Sequence, residues 1–281
     1  MICLPTRYTR RFIALTATAG MMLALGTTPV FAQAPEDDAV LKLAEPDFTL
    51  VSLPTSLRLP KNKSAFRVTH RFVRPLDCEL CQDIWLEDFF GFDNGAVIGL
   101  EYRYGILPGV QISAYRARER KTLQISGQYN LFTQAQKPME MSILAGIEGT
   151  ENFTDQYSGT IGVILTRLIG EHASIHIEPM FVGNTNLDEP SVDDDNTFLI
   201  GLGTRIRIRP TVYVTAEAIP RVSGYSPSGT QASFAIEKRA GGHVFQLNFS
   251  NSFGTTMSNI ARGGFRSEDW YMGFNISRKF F

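Results

Sequence analysis

Polar and apolar side chains alternate one for one in twelve separate stretches of this chain, and that period of two constrains its fold more than any other feature. From Thr122 the polar set is Thr122, Gln124, Ser126, Gln128 and Asn130, while Leu123, Ile125, Gly127, Tyr129 and Leu131 face the other way. The pattern returns with His172, Ser174, His176 and Glu178 against Ala173, Ile175, Ile177 and Phe181. It returns again with Arg205, Arg207 and Arg209 against Thr204, Ile206 and Ile208, and with Trp270, Met272, Phe274 and Ile276 against Tyr271, Gly273, Asn275 and Ser277. Each stretch reads as a strand with one wet face and one apolar face.

The stretches fall at 65–74, 94–104, 109–117, 121–131, 139–149, 158–168, 172–182, 197–208, 212–219, 231–239, 243–252 and 269–280. Most are about ten residues long, and at roughly 3.3 Å per residue and a tilt near 45° they match the ~25 Å apolar band of an outer membrane. The connections average about 12 residues on one side and about 4 on the other, the asymmetry of bacterial barrels with external loops and periplasmic turns. An even count places both termini on the periplasmic side. The expected fold is therefore all-β, an antiparallel transmembrane β-barrel of about 12 strands. A soluble sandwich also alternates, but inward faces carrying Glu101, Arg103, Gln124 and Gln128 are too polar for a two-sheet core.

The N-terminus fits delivery to that membrane. Arg7, Arg10 and Arg11 precede an apolar stretch from Phe12 to Leu25, and Val30-Phe31-Ala32 is a cleavage site, so residues 1–32 read as a secretory signal peptide. Past it no apolar run reaches the length of a spanning helix. Residues 33–64, with Pro35, Pro46, Pro54 and Pro60, read as a periplasmic arm with docking in the barrel base as an option, and residues 65–281 as the barrel. A net charge of -1 provides no basic face, so no nucleic-acid partner is expected.

The residues expected to line the lumen are Glu101, Arg103, Gln124, Gln128, His172, His176, Glu178, Arg205, Arg207 and Glu217. A turn of Arg209-Pro210-Thr211 pairs Ile208 with Val212 and Ile206 with Val214, setting Arg205 beside Thr215 and diagonal to Glu217. The arginine stripe has two readings: an anion pathway, or charges that pair with Glu101, Glu178 and Glu217 and fill a narrow barrel. His172 and His176 stand roughly 13 Å apart along a strand, too far for one metal, and Ser174 has no lipase motif around it. No catalytic residue, metal or cofactor is expected, so the chain does not read as an enzyme.

Two external loops hold further candidates. Cys78 and Cys81 follow the signal peptide into an oxidising compartment, where a local disulfide stapling the loop is the default, with a redox-active pair or free thiols as alternatives. Trp85, Phe89 and Phe90 belong to an apolar cluster that either folds into the barrel mouth as a lid or packs on the outer rim. The acidic run Asp188-Glu189 and Asp193-Asp194-Asp195 is a solvated loop, with divalent cations as an alternative.

Four segments carry a resemblance: Phe89-Phe90-Gly91-Phe92-Asp93-Asn94-Gly95, Leu100-Glu101-Tyr102-Arg103-Tyr104-Gly105-Ile106, Gly241-Gly242-His243-Val244-Phe245-Gln246-Leu247-Asn248-Phe249-Ser250-Asn251-Ser252, and Gly273-Phe274-Asn275-Ile276-Ser277-Arg278. Across residues 55–281 the chain resembles a family of bacterial outer-membrane β-barrels classed as a domain of unknown function. The resemblance implies the fold and brings no activity with it, and no family role attaches to the cysteine pair. The ending Arg278-Lys279-Phe280-Phe281 places Phe280 in the lipid-facing register, the usual signal to the barrel assembly machinery, with Phe281 one place beyond it. Outer-membrane lipid and lipopolysaccharide are the other expected partners, and a periplasmic partner is left unidentified. The functional expectation is a narrow channel or transport protein for small solutes, anions among them. The alternative is a non-conducting structural or partner-docking barrel, with an outer-membrane hydrolase third.

Overall fold

The computed structural model describes residues 42–76, 95–186, 195–264 and 269–281. Among them twelve strands close into one antiparallel ring. In chain order they are β1 (Ser64–Pro75), β2 (Ala96–Leu107), β3 (Val110–Ala117), β4 (Leu123–Phe132), β5 (Glu140–Gly149) and β6 (Asp155–Ile169). They continue as β7 (Ala173–Val182), β8 (Thr197–Arg209), β9 (Val212–Ile219), β10 (Gln231–Ala240), β11 (His243–Ser250) and β12 (Tyr271–Phe280). Each pairs with its sequence neighbours, and β12 closes the ring on β1 with Val68 opposite Ile276. Arg221–Gly224 carries β9 onward along β8. The break falls at Pro220, which has no N–H to give the ladder but still accepts from Ile200 N at 3.0 Å.

The period of two decides what faces where. Along β2, Glu101 and Arg103 are buried while Leu100 and Tyr102 are exposed, and along β7, Ser174, His176 and Glu178 are buried while Ile175 and Ile177 are exposed. A water-soluble protein would pay heavily for that inversion; with hydrocarbon outside, it is the stable arrangement. Aromatic side chains gather on this outer face beside the longer connections, where Phe234 stands 5.0 Å from Phe249 and 5.5 Å from Trp270, centroid to centroid.

The short turns fix register. Between β10 and β11, Ala240 pairs with His243 across Gly241-Gly242, and Gly241 takes φ +56, as a two-residue hairpin turn requires. The β8–β9 turn differs from the three-residue one expected. Arg209 pairs with Val212 across Pro210-Thr211, and an irregularity between Arg207 and Arg209 absorbs one residue, which returns Ile206 to Val214 and Arg205 to Thr215. A bulge thus keeps apolar opposite apolar even though the turn is one residue shorter.

A ring of eight strands can be filled by its own side chains; twelve enclose more room. The room here is occupied by backbone. Residues 42–59 enter from the end that carries the short turns, and the connection between β11 and β12 enters from the other as a short helix, α1 (Met257–Arg262). Residues 1–32, expected from the sequence to be a signal peptide, lie outside the described residues.

Candidate functional site: a plugged polar lumen

The chain before β1 forms a tight hairpin inside the barrel. Thr49 bridges Pro54, Leu50 N donates to Leu53 O at 2.8 Å, and Thr55 N donates to Phe48 O at 2.8 Å. Such a turn leaves its tip amides without partners in the hairpin itself, and a buried amide needs an acceptor. Glu217 on β9 supplies one to all three: its carboxylate accepts from Val51 N (3.1 Å), Ser52 N (3.0 Å) and Leu53 N (3.1 Å).

The wall reads the rest of the hairpin chiefly through its main chain. Arg205 donates to Thr49 O (2.6 Å), Gln246 to Leu50 O (2.9 Å), Asn275 to Val51 O (3.2 Å), Gln128 to Thr55 O (2.9 Å) and Asn130 to Ser56 O (2.9 Å). Gln111 both donates to Leu57 O and accepts from Leu59 N. Lys279 reaches Pro46 O, and Tyr213 donates to Leu43 O (2.9 Å). Fewer contacts use hairpin side chains. Among them, Ser277 meets Asp47 at 2.6 Å, Arg67 meets Thr49 at 2.6 Å, and Glu140 takes both Ser56 and Lys42.

Charge inside the wall is largely paired. Arg205 makes a two-pronged contact with Glu237 (2.8 and 3.0 Å), and the same carboxylate accepts from Thr215 and Gln246. Glu101 bridges Arg67 (2.9 Å) and Arg103 (2.6 Å). Arg71 donates to Asn275 at 2.8 Å. Buried charges tolerate a low-dielectric interior only with partners of this kind.

Where the hairpin tip meets α1 the lining turns apolar. Leu50 and Leu53 pack with Leu144, Ile164, Met180, Leu199 and Ile219 of the wall and with Ile260 and Ala261 of α1. Gly201 and Gly203 on β8 make the space: a Cβ there would stand 2.8 Å from a Leu53 methyl and 2.1 Å from a Leu50 methyl. Above this belt, α1 is held by Glu148 on β5, which accepts from Thr256 Oγ1 (3.2 Å), Ser258 N (3.2 Å) and Ser258 Oγ, and by Gln124, which accepts from Met257 N at 2.9 Å. The lumen is thus closed by two elements that touch. A second apolar cluster, Phe48, Leu57, Leu59 and Ala65, seals the terminal end, and Phe281 packs on it, which gives the last residue a place beyond the strand register.

Glu101, Arg103, Gln124, Gln128, His176, Glu178, Arg205 and Glu217 all lie buried on the inner face. His172 does not: it is exposed in the turn before β7, because pairing with β6 begins only at Ala173. Arg207 is half-buried at the terminal rim, 3.6 Å from Glu171. Arg205 pairs with Glu237, two strands away, and not with Glu217, whose oxygens are taken by the hairpin amides. Glu237, Glu140, Glu148, Arg67, Arg71 and Lys279 were not singled out from the sequence, although the same alternation marks each as inward. His176 lies between Thr166 Oγ1 on Nδ1 (3.0 Å) and Ser174 Oγ on Nε2 (3.0 Å). That serine and imidazole touch, and both are buried beneath the hairpin. Cys78, Cys81, Trp85, Phe89 and Phe90, and the acidic residues 188–189 and 193–194, lie outside the described residues.

A family model described as a membrane-bound beta barrel domain (DUF5777) matches residues 47–280. No curated protein matches the chain. Among solved structures, the NanC porin is 8% identical over 78% of this chain and 100% of that one, with a TM-score of 0.52, a likeness of fold. The Acinetobacter baumannii outer membrane protein Omp33 is 10% identical over 78% of this chain and 99% of that one, with a TM-score of 0.46. A Rhodopseudomonas blastica porin triple mutant is 10% identical over 66% and 55%, with a TM-score of 0.35.

Proposed function

We propose that this chain, which belongs to the DUF5777 family of membrane-bound β-barrel domains, is a porin-like channel for small solutes, held shut by its own N-terminal hairpin. Its place is the bacterial outer membrane. One observation carries the reading. The hairpin is fastened to the wall mostly by hydrogen bonds from Arg, Gln, Asn and Lys side chains to its carbonyls, and water can replace every one of them once the hairpin leaves. What would remain is a largely polar passage, narrowed at its far end by α1 and the apolar belt.

The apolar belt favours the second reading, a non-conducting barrel that docks a partner, because Leu50 and Leu53 contribute about 1.5–3 kcal/mol each to keeping the lumen shut. Planar-bilayer recording separates the two. The full mature chain is expected to show unitary current steps between long closures. Cross-linking cysteines placed at Asp47 and Ser277, whose side chains stand 2.6 Å apart, is expected to abolish the steps until the link is cleaved. Silence in both forms would leave the docking barrel.

The anion preference expected from the arginine stripe has weaker support, since Arg205 is committed to Glu237 and Arg67 and Arg103 to Glu101. The open state is expected to discriminate weakly, with a reversal potential near zero under a potassium chloride gradient. A strongly shifted potential would restore the stripe as a pathway.

A further inference from the structure

Two carboxyl groups in the plugged lumen stand apart from all the others. Glu45, on the entering arm of the hairpin, and Glu178, on β7, are completely buried, and none of their four oxygens completes a hydrogen bond. Thr55 stands near Glu45, but its hydroxyl is given to Asp47 O at 3.0 Å. The cations close by make their ion pairs elsewhere: Arg205 with Glu237, and Lys42 with Glu140. Every other wall carboxylate described above holds donors; these two hold none. An ionised carboxylate buried in that condition is among the most costly arrangements a fold can contain.

The groups facing Glu45 are mixed in sign. From β7 come Glu178 and His176, whose Nε2 lies 3.4 Å from Glu45 Oε1 while also touching Ser174 Oγ. From β8 comes Arg205, already bound to Glu237 of β10, and from β5 Glu140. Its own segment adds Lys42 and Thr55, and Glu217 of β9 faces Glu178. Among the described residues no cluster of three or more His, Cys, Asp or Glu could hold a metal.

We infer that the hairpin is a proton-dependent gate, resting on the reading of the lumen as a closed channel: it seats with Glu45 as the neutral acid against Glu178, and ionisation of Glu45 drives it out of the barrel. Burial pushes the seated Glu45 carboxyl up from 4.5 to about 7, with Arg205 opposing that rise and Glu140 adding to it. In the released hairpin, water returns it to the ordinary value. The seated state therefore binds the extra proton. Seating is strongest below the ordinary carboxylate value, weakens as the pH rises toward 7, and is level above it. Across that window the closed-to-open ratio falls on the order of a hundredfold.

Hydrogen exchange on the full mature chain reads that ratio directly. Amide protection over residues 48–57, corrected for the intrinsic exchange rate at each pH, is expected to fall on the order of a hundredfold between pH 5 and pH 8, while the strands keep theirs. Glu45→Gln, neutral at every pH, is expected to hold the hairpin protected at both. Equal protection at the two pH values in the unaltered chain, or the same fall in Glu45→Gln, would overturn the gate. If Glu45→Gln does not assemble, Glu178→Gln serves: removal of the facing carboxyl, which disfavours ionised Glu45, is expected to raise hairpin protection at pH 8, and no rise would count against the pair. Bilayer current on the same samples reports separately. A pH-dependent hairpin with no current keeps the gate and rejects the channel.

Discussion

Glu217→Ala is expected to unseat the hairpin while leaving the barrel standing. In the closed state the tip amides of Val51, Ser52 and Leu53 share this one carboxylate. Removing the acceptor strands three buried donors at once. A lost charge-assisted bond and the burial of an orphaned amide each weigh about 1.5–3 kcal/mol, and a hairpin free to leave recovers part of that by exposing the amides to water. A net loss of about 3 kcal/mol is a shift of on the order of a hundredfold toward the open state. Protection of residues 48–57 should drop by that factor, and the open time in bilayers should lengthen. Glu217→Gln keeps a neutral carbonyl acceptor and should fall between the two. Unchanged protection in Glu217→Ala would mean that the apolar contacts of Leu50 and Leu53, rather than the carboxylate, fix the tip.

That dependence also explains what could and could not be seen in the sequence. The ring itself is written in local alternation: Leu100 and Tyr102 against Glu101 and Arg103 is legible within four residues, and so is the register that sets Arg205 opposite Thr215. The plug is not. Glu45 to Leu59 has no period of two, and the acceptor of its tip amides lies more than 160 residues away along the chain. Only closure of the ring brings them together. A signal for the plug did exist in the wall. Leu144, Ile164, Met180, Leu199 and Ile219 break the polar parity of their strands on the inward side, and apolar residues facing a lumen require a cover. The Leu50-Val51-Ser52-Leu53 tip is that cover. Glu237 was legible by parity, but its partner was not. A pairing argument made between adjacent strands offers Arg205 only Glu217, whereas a guanidinium long enough to cross β9 reaches β10.

The same reach makes Arg205→Met the most damaging single change expected in the barrel itself. Arg205 and Glu237 are fully buried, and their two-pronged contact is supported by Thr215 and Gln246 on the carboxylate and by Thr49 O on the guanidinium. Methionine preserves much of the volume and removes the cation, so the Glu237 carboxyl would be left in the wall with neutral donors alone. Breaking one side of a buried pair typically costs about 3–5 kcal/mol. Urea unfolding in lipid vesicles should show that loss as a lower midpoint with an unchanged slope. The double variant Arg205→Met, Glu237→Leu removes both charges and their desolvation together, so it should recover most of the stability while leaving Thr49 O without its donor. The hairpin would then be loosened in a barrel of nearly normal stability, separating the two roles of one arginine. Arg207→Met is the internal control, since its contact with Glu171 is 3.6 Å long at an exposed rim, where an ion pair contributes well under about 1 kcal/mol. If Arg205→Met and the double variant unfold at the same urea concentration, the two charges are not coupled, and the stripe would have to be reread as separate cations held by the hairpin.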